Sequence, residues 1–155
     1  MNLQKCLLNQ VVISDCEERQ PNITSKDQKS SRVHYAHNKL HKRIFHCVVD
    51  GQLITQVTAS DFLLLNEDEQ IAYFIETKGA KVAKAAQQLE ITAKRLRADL
   101  SNYEYRFRIV HRKFPPETHN DAKYLSFLRY LDSLGINSSD KVRYGRHENE
   151  MHDDI

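Results

Sequence analysis

Lys81-Val82-Ala83-Lys84-Ala85-Ala86-Gln87-Gln88-Leu89, then Glu90-Ile91, then Thr92-Ala93-Lys94-Arg95-Leu96-Arg97-Ala98-Asp99-Leu100-Ser101-Asn102-Tyr103, is the stretch on which the fold turns. Val82, Ala85, Ala86 and Leu89 recur at helical spacing and predict an amphipathic helix. Thr92 is a good N-cap for a further helix that carries Leu96, Leu100 and Tyr103 inward. That spacing turns Lys94, Ala98 and Ser101 outward, with Arg95 and Arg97 on the flanks. Small residues for close approach, a turn at Glu90-Ile91 and a polar outer face are what a helix-turn-helix needs to hold one helix in the major groove.

The flanking residues extend this reading. Asn66 with Glu69 forms a capping-box pair, and Ile71, Phe74 and Ile75 make an apolar stripe closed by Gly79, so a first helix is expected there. Upstream, Ile44 to Val49 and Leu53 to Val57 flank Asp50-Gly51, a pair that suits a two-residue hairpin turn. Glu104 to Val110 alternates Tyr105, Phe107 and Ile109 against Arg106 and Arg108, and reads as a third strand or a wing after the last DNA-binding helix. A helix from Pro116 or Glu117 to Leu134 carries Tyr124, Leu125, Phe127, Leu128, Tyr130, Leu131 and Leu134 around most of its surface. One monomer face rarely buries so much, so a homodimer through this helix is expected.

The expected fold class is α+β: a small antiparallel β-hairpin sheet, a central helix-turn-helix unit and a C-terminal helix. Residues 1–31 form an N-terminal segment that is partly flexible, with an apolar patch at Leu7, Leu8, Val11, Val12 and Ile13; 32–65 hold a basic segment and the hairpin; 66–113 hold the DNA-binding unit; 114–155 hold the last helix and an acidic tail.

Charge supports a polyanion partner. The chain of 155 residues has a formal net charge of only +2 and a mean hydropathy of −0.65. Yet Lys78 to Lys113 carries ten bases against Glu90, Asp99 and Glu104, and Lys26 to Arg43 carries six against Asp27. The expected DNA contacts are Lys94, Arg95, Arg97 and Ser101 on the last helix, Thr92 at its cap, and Lys81, Lys84, Arg106 and Arg108 on phosphates.

Residues 79–103 also resemble the helix-turn-helix of the Fis family. Ala85, Ala86, Ile91, Leu96, Leu100 and Tyr103 fall at the family's spacing, and Arg97 matches a basic position. Ala80 stands where the family has Asn, and Glu90 where it has the turn glycine. The resemblance implies DNA binding.

Other chemistry is thinly represented. His34, His37 and His41 share a face if Arg32 to Lys42 is helical, but Lys39, Lys42 and Arg43 would repel a cation, and a solvated basic helix is the simpler reading. Asp50, Asp61, Glu67, Asp68 and Glu69 are acids of the kind nucleases use, but they read as a turn and a helix start. No nucleophile elbow, Gly-rich phosphate loop or H-E-x-x-H is present. No enzyme activity, cofactor or metal is expected. Cys6, Cys16 and Cys47 form no disulfide pattern, Met1 to Val12 does not read as a secretory signal, and no apolar run is long enough to span a bilayer. The expected protein is a cytoplasmic DNA-binding regulator; a protein adaptor, or an RNA binder using Tyr105 and Phe107, are the alternatives.

Overall fold

The computed structural model describes residues 21–155 apart from 52, 56, 78–80, 112, 137–141 and 146–148. Eight strands and two α-helices are found among them: β1 Asn22–Lys26, β2 Val33–His37, β3 Ile44–Val48, β4 Phe62–Asn66, β5 Ile71–Glu76, α1 Val82–Leu96, β6 Glu104–Val110, α2 Ala122–Ser133, β7 Val142–Gly145 and β8 Glu150–Asp154. The expected hairpin with a helix-turn-helix core is therefore overturned. Most of the described chain is β.

The reason lies in two apolar runs. Phe62-Leu63-Leu64-Leu65 and Ile71-Ala72-Tyr73-Phe74-Ile75 are buried at every position. A strand covered on both faces shows no alternation and can mimic a helical stripe. Here the two runs pair antiparallel, with Phe62 opposite Ile75 and Asn66 opposite Ile71. Asn66 and Glu69 do interact as a capping pair would, Glu69 N donating to Asn66 Oδ1 over 3.1 Å, but they shape the β4–β5 turn. Gln70 closes that turn at φ 54°.

The large sheet runs β3-β4-β5-β6-β7. Its β3-β4-β5 part is antiparallel, whereas β5-β6 and β6-β7 are parallel, joined through α1 and α2. The expected pairing of 44–49 with 53–57 is not made: β3 pairs with β4, from Ile44 opposite Asn66 to Val48 opposite Phe62. Gly51 does take the left-handed conformation, at φ 77°. Leu53 and Ile54, however, fold back to hydrogen-bond Val49 O and sink into the core.

Helix α1 runs unbroken through Glu90-Ile91, where the helix-turn-helix turn was expected. Glu90 Oε1 accepts from Lys94 Nζ at 2.5 Å and from Ser126 Oγ at 3.1 Å, so its side chain ties α1 to itself and to α2. The inward reading of Leu89, Leu96 and Leu100 agrees with their burial. After Leu96 the chain turns through 97–103 into β6, the strand expected at Glu104 to Val110.

Both helices cover one face of the large sheet. Val82, Ala85, Ala86, Leu89 and Ala93 of α1 share a core with Leu63, Phe74 and Phe107 of the sheet and Phe127 and Leu131 of α2. The second sheet, β1-β2-β8, covers the other face: Ile23, Ala36 and Ile155 cluster with Ile44, Phe62, Leu64, Tyr73 and Ile75. The arrangement is three layers, helices on a five-stranded sheet on a three-stranded sheet. The acidic tail is thus part of the fold, because β8 lies parallel to β2. The Arg32 to Lys42 segment is also no helix. Within β2, His34 is fully buried, while His37, three residues on, falls on the opposite face.

The expected C-terminal helix is shorter than its apolar pattern. Pro116–Asn120 is a 3₁₀ turn, Asp121 caps α2 by accepting from Lys123 N, and Gly135 follows at φ 70°. The apolar patch expected at Leu7 to Ile13 lies outside the described residues. No described helix is long and apolar enough to cross a membrane.

Candidate functional site

Asp61 and Glu76 stand at the same end of the large sheet, and both are buried, at 3% and 1% exposure. The last antiparallel pair of β4 and β5 is Phe62 with Ile75, and one further step of that register sets Asp61 opposite Glu76. Two steps inward in the pleat, Leu63 and Phe74 belong to the helix-side core, so both acids fall on the face that α1 covers.

The backbone at Asp61 is fixed from three sides. Val49 N donates to Asp61 O at 2.9 Å, continuing the β3–β4 ladder. Thr77 gives its N at 2.8 Å and its Oγ1 at 3.0 Å to Asp61 Oδ2. The two residues before Asp61 are held by α1: Gln88 Nε2 donates to Ala59 O at 3.0 Å, and Ser60 N donates to Thr92 Oγ1 at 2.8 Å. Thr92 Oγ1 in turn donates to Gln88 O at 2.8 Å. A mid-helix threonine bonding back one turn is a local event; here the same oxygen also accepts from the strand entry.

A buried carboxylate is costly unless it is compensated, and Asp61 and Glu76 are both partnered within the chain. In sequence, Lys78 follows Glu76 at the second position, outside the described residues. Lys81 and Lys84, at the start of α1, are exposed. The carboxyl ends of parallel strands are also where open α/β sheets hold ligands, and Glu76 ends the first of the three parallel strands. Among the described residues no group of three or more His, Cys, Asp and Glu is placed to hold a metal ion. Mg²⁺ keeps several waters and takes only one or two carboxylates from a protein.

The expected DNA contacts scatter. Lys81 and Lys84, at the start of α1, and Lys94, Arg95, Arg97 and Ser101, further along the chain, are exposed. Thr92 is fully buried and serves the fold. Arg106 bonds Glu104 and the Tyr73 hydroxyl. Arg108 is only 2% exposed and is held by Asp153, which removes it from any phosphate. Of the acids set aside in the sequence, Asp61 alone joins this site; Asp68 and Glu69 bind Arg43 N and Lys42 Nζ. Glu76 was missed. The signal for it was present, since Asp61 and Glu76 bracket the two apolar runs, but it speaks only once those runs are read as paired strands.

Comparison with protein-family models, curated proteins and solved structures returns no match to this chain.

Proposed function

We propose that the chain is a metal-dependent phosphodiesterase acting on nucleic acid, with Asp61 and Glu76 holding one divalent cation. The observation that carries this reading is the placement of two buried acids at one end of the sheet, Asp61 just before β4 and Glu76 at the carboxyl end of β5. A bound Mg²⁺ or Mn²⁺ would polarise a phosphoryl oxygen and lower the pKa of a coordinated water. Asp61 and Glu76 supply the hard oxygen ligands, and Thr77 orients the Asp61 carboxylate through two hydrogen bonds. Gln88 and Thr92 act as positioning residues by fixing the strand entry at Ala59 and Ser60. The basic excess from Lys78 to Lys113 supports a polyanionic substrate.

Calorimetric titration with Mn²⁺ tests the site itself. One binding event in the wild type, lost in both Asp61→Asn and Glu76→Gln, is the expected result.

A second reading keeps DNA binding without cleavage, as a regulator. The exposed Lys84, Lys94, Arg95 and Arg97 favour it. Dimerisation through α2 belongs with that reading. Leu125 and Leu128 are 37% and 39% exposed and would form the seam, while Tyr124, Phe127, Tyr130 and Leu131 are buried within the chain. Phosphodiester cleavage that needs Asp61 separates the two readings.

A further inference from the structure

Two histidines meet on the outer face of the small sheet. His37 Nε2 and His152 Nδ1 stand 2.8 Å apart, with the ring planes within 8° of each other and the centroids at 5.1 Å. Stacked rings cannot bring nitrogens that close, so these two face each other edge to edge. The register explains the meeting. Strands β2 and β8 run parallel with Tyr35 opposite His152 and His37 opposite Asp154, which makes the imidazoles diagonal neighbours on one face. Tyr35 backs the His152 ring at 4.9 Å. The His152 side chain is 52% exposed, and His37 is partly buried.

The outer nitrogens already have partners. Asn22 Oδ1 lies 3.0 Å from His37 Nδ1, and Glu150 Oε2 lies 3.2 Å from His152 Nε2. Both oxygens only accept, so each ring places its N–H there. As neutral imidazoles the two rings then turn lone pairs toward each other, a contact that calls for a cation between them. A proton can fill that place, and so can a metal ion. An N–H given to a carboxylate or carbonyl oxygen is also how metal-bound imidazoles are oriented. The charges around the pair permit a cation. Glu150 and Asp154 flank His152 on β8, and Asp154 holds Lys39 in an exposed ion pair at 2.9 Å. Arg143 donates to His152 O, and its charge is met by Asp153. Nitrogens bound to one such ion lie about 2.9 Å apart at a right angle and about 3.3 Å apart at the tetrahedral angle, so the rings need open by only about half an ångström or less.

We infer that His37 and His152 form a transition-metal site, taking Zn²⁺, Ni²⁺ or Cu²⁺ through His37 Nε2 and His152 Nδ1, with water in the remaining positions. Imidazole suits these ions, whereas Mg²⁺ prefers oxygen ligands. The site is therefore chemically distinct from Asp61 and Glu76 and does not depend on the proposed function. An ion bound there clips the C-terminal strand β8 to β2.

Calorimetric titration of the full chain with Zn²⁺ tests the site. One event reversed by EDTA is expected, lost in His37→Ala and in His152→Ala and kept in Asp61→Asn. Glu150→Ala should weaken it about tenfold, because it frees the His152 ring to turn. Zn²⁺ should raise the Tm of the wild type and of neither histidine variant. With Cu²⁺, electron paramagnetic resonance should show coupling to two nitrogens in the wild type. Should His37→Ala fail to fold, the exposed His152→Ala decides alone. Wild-type binding in the folded histidine variants would overturn the inference, as would an event lost only in Asp61→Asn. Failure of all three ions to bind would overturn it too, and leave a proton-bridged pair only.

Discussion

Arg108 of β6 and Asp153 of β8 join the two sheets through a buried bidentate pair, with Nε to Oδ2 at 2.6 Å and Nη2 to Oδ1 at 3.2 Å. His34 Nε2 reaches the same Oδ2 at 2.7 Å, and Arg143 Nη1 reaches Oδ1 at 2.6 Å. Burial acts to raise the Asp153 carboxyl, but the hydrogen bonds from His34 and Arg108 outweigh it and hold the group well below the usual carboxylate range. One carboxylate thus fastens the C-terminal strand to β2, β6 and β7.

Asp153→Ala should therefore unfold the protein far more readily than loss of a surface ion pair would. Removing one member of a buried pair leaves charge without compensation, at a cost of about 3–5 kcal/mol. Urea denaturation followed by circular dichroism checks this. A change below about 1 kcal/mol, the size of an exposed pair, would mean that the cluster is not what fastens β8.

A pH dependence follows from the two histidines of the same interior. Burial lowers His34 below its ordinary value against the pull of Asp153, and its Nδ1 is enclosed with no hydrogen-bond partner. Burial, with a smaller effect from His34, lowers His46 to about 4. Its Nε2 lies 2.8 Å from Ser25 Oγ. Both are folded-state depressions of a base. The unfolded chain binds these protons near pH 6.5 and the folded chain only at lower pH, so stability is complete above about 6.5 and falls toward pH 4. Within that window His46 contributes a slope of roughly 1.4 kcal/mol per pH unit, and His34 acts in the same direction. Denaturation midpoints between pH 7.5 and 5 test it, and His46→Gln should flatten the curve. A wild-type midpoint constant across that range contradicts the assignment.

Glu90 discriminates between the continuous helix and a turn at Glu90-Ile91. A turn glycine there would make Glu90→Gly neutral or stabilising. In α1 the same substitution puts glycine mid-helix and removes the acceptor for Lys94 and Ser126, for a loss of about 1 kcal/mol or more. Thermal melting of the variant decides the matter, and an unchanged or raised Tm would restore the turn.

The sequence was legible where local patterns survive tertiary context. Glu104 to Val110 keeps the strand its alternation announced, and Leu89, Leu96 and Leu100 are buried as their spacing required. The errors share one cause. Phe62 to Leu65 and Ile71 to Ile75 are covered on both faces, by helices on one side and the small sheet on the other, so neither carries a period. Asn66 and Glu69 added a misleading cue, because the same side-chain-to-backbone bond serves a helix start and a β-turn. Strand β8 was hidden for a different reason: in Glu150-Met151-His152-Asp153-Asp154 charge masks the alternation of Met151 and Asp153 toward the interior. Arg108 was read as a surface base because its partner lies 45 residues away. The Asp61–Glu76 relation needed the strand pairing before it could be seen at all.

The most direct test of the central claim is cleavage of supercoiled plasmid and labelled oligonucleotides by purified protein, in Mg²⁺ or Mn²⁺ and in EDTA. The account predicts hydrolysis with the divalent metal and none with chelator. It also predicts a loss of on the order of a hundredfold or more in Asp61→Asn and in Glu76→Gln while both stay folded, since each removes a ligand of the ion that stabilises the transition state. Cleavage that persists in EDTA, or that both variants retain at the wild-type rate, would contradict it.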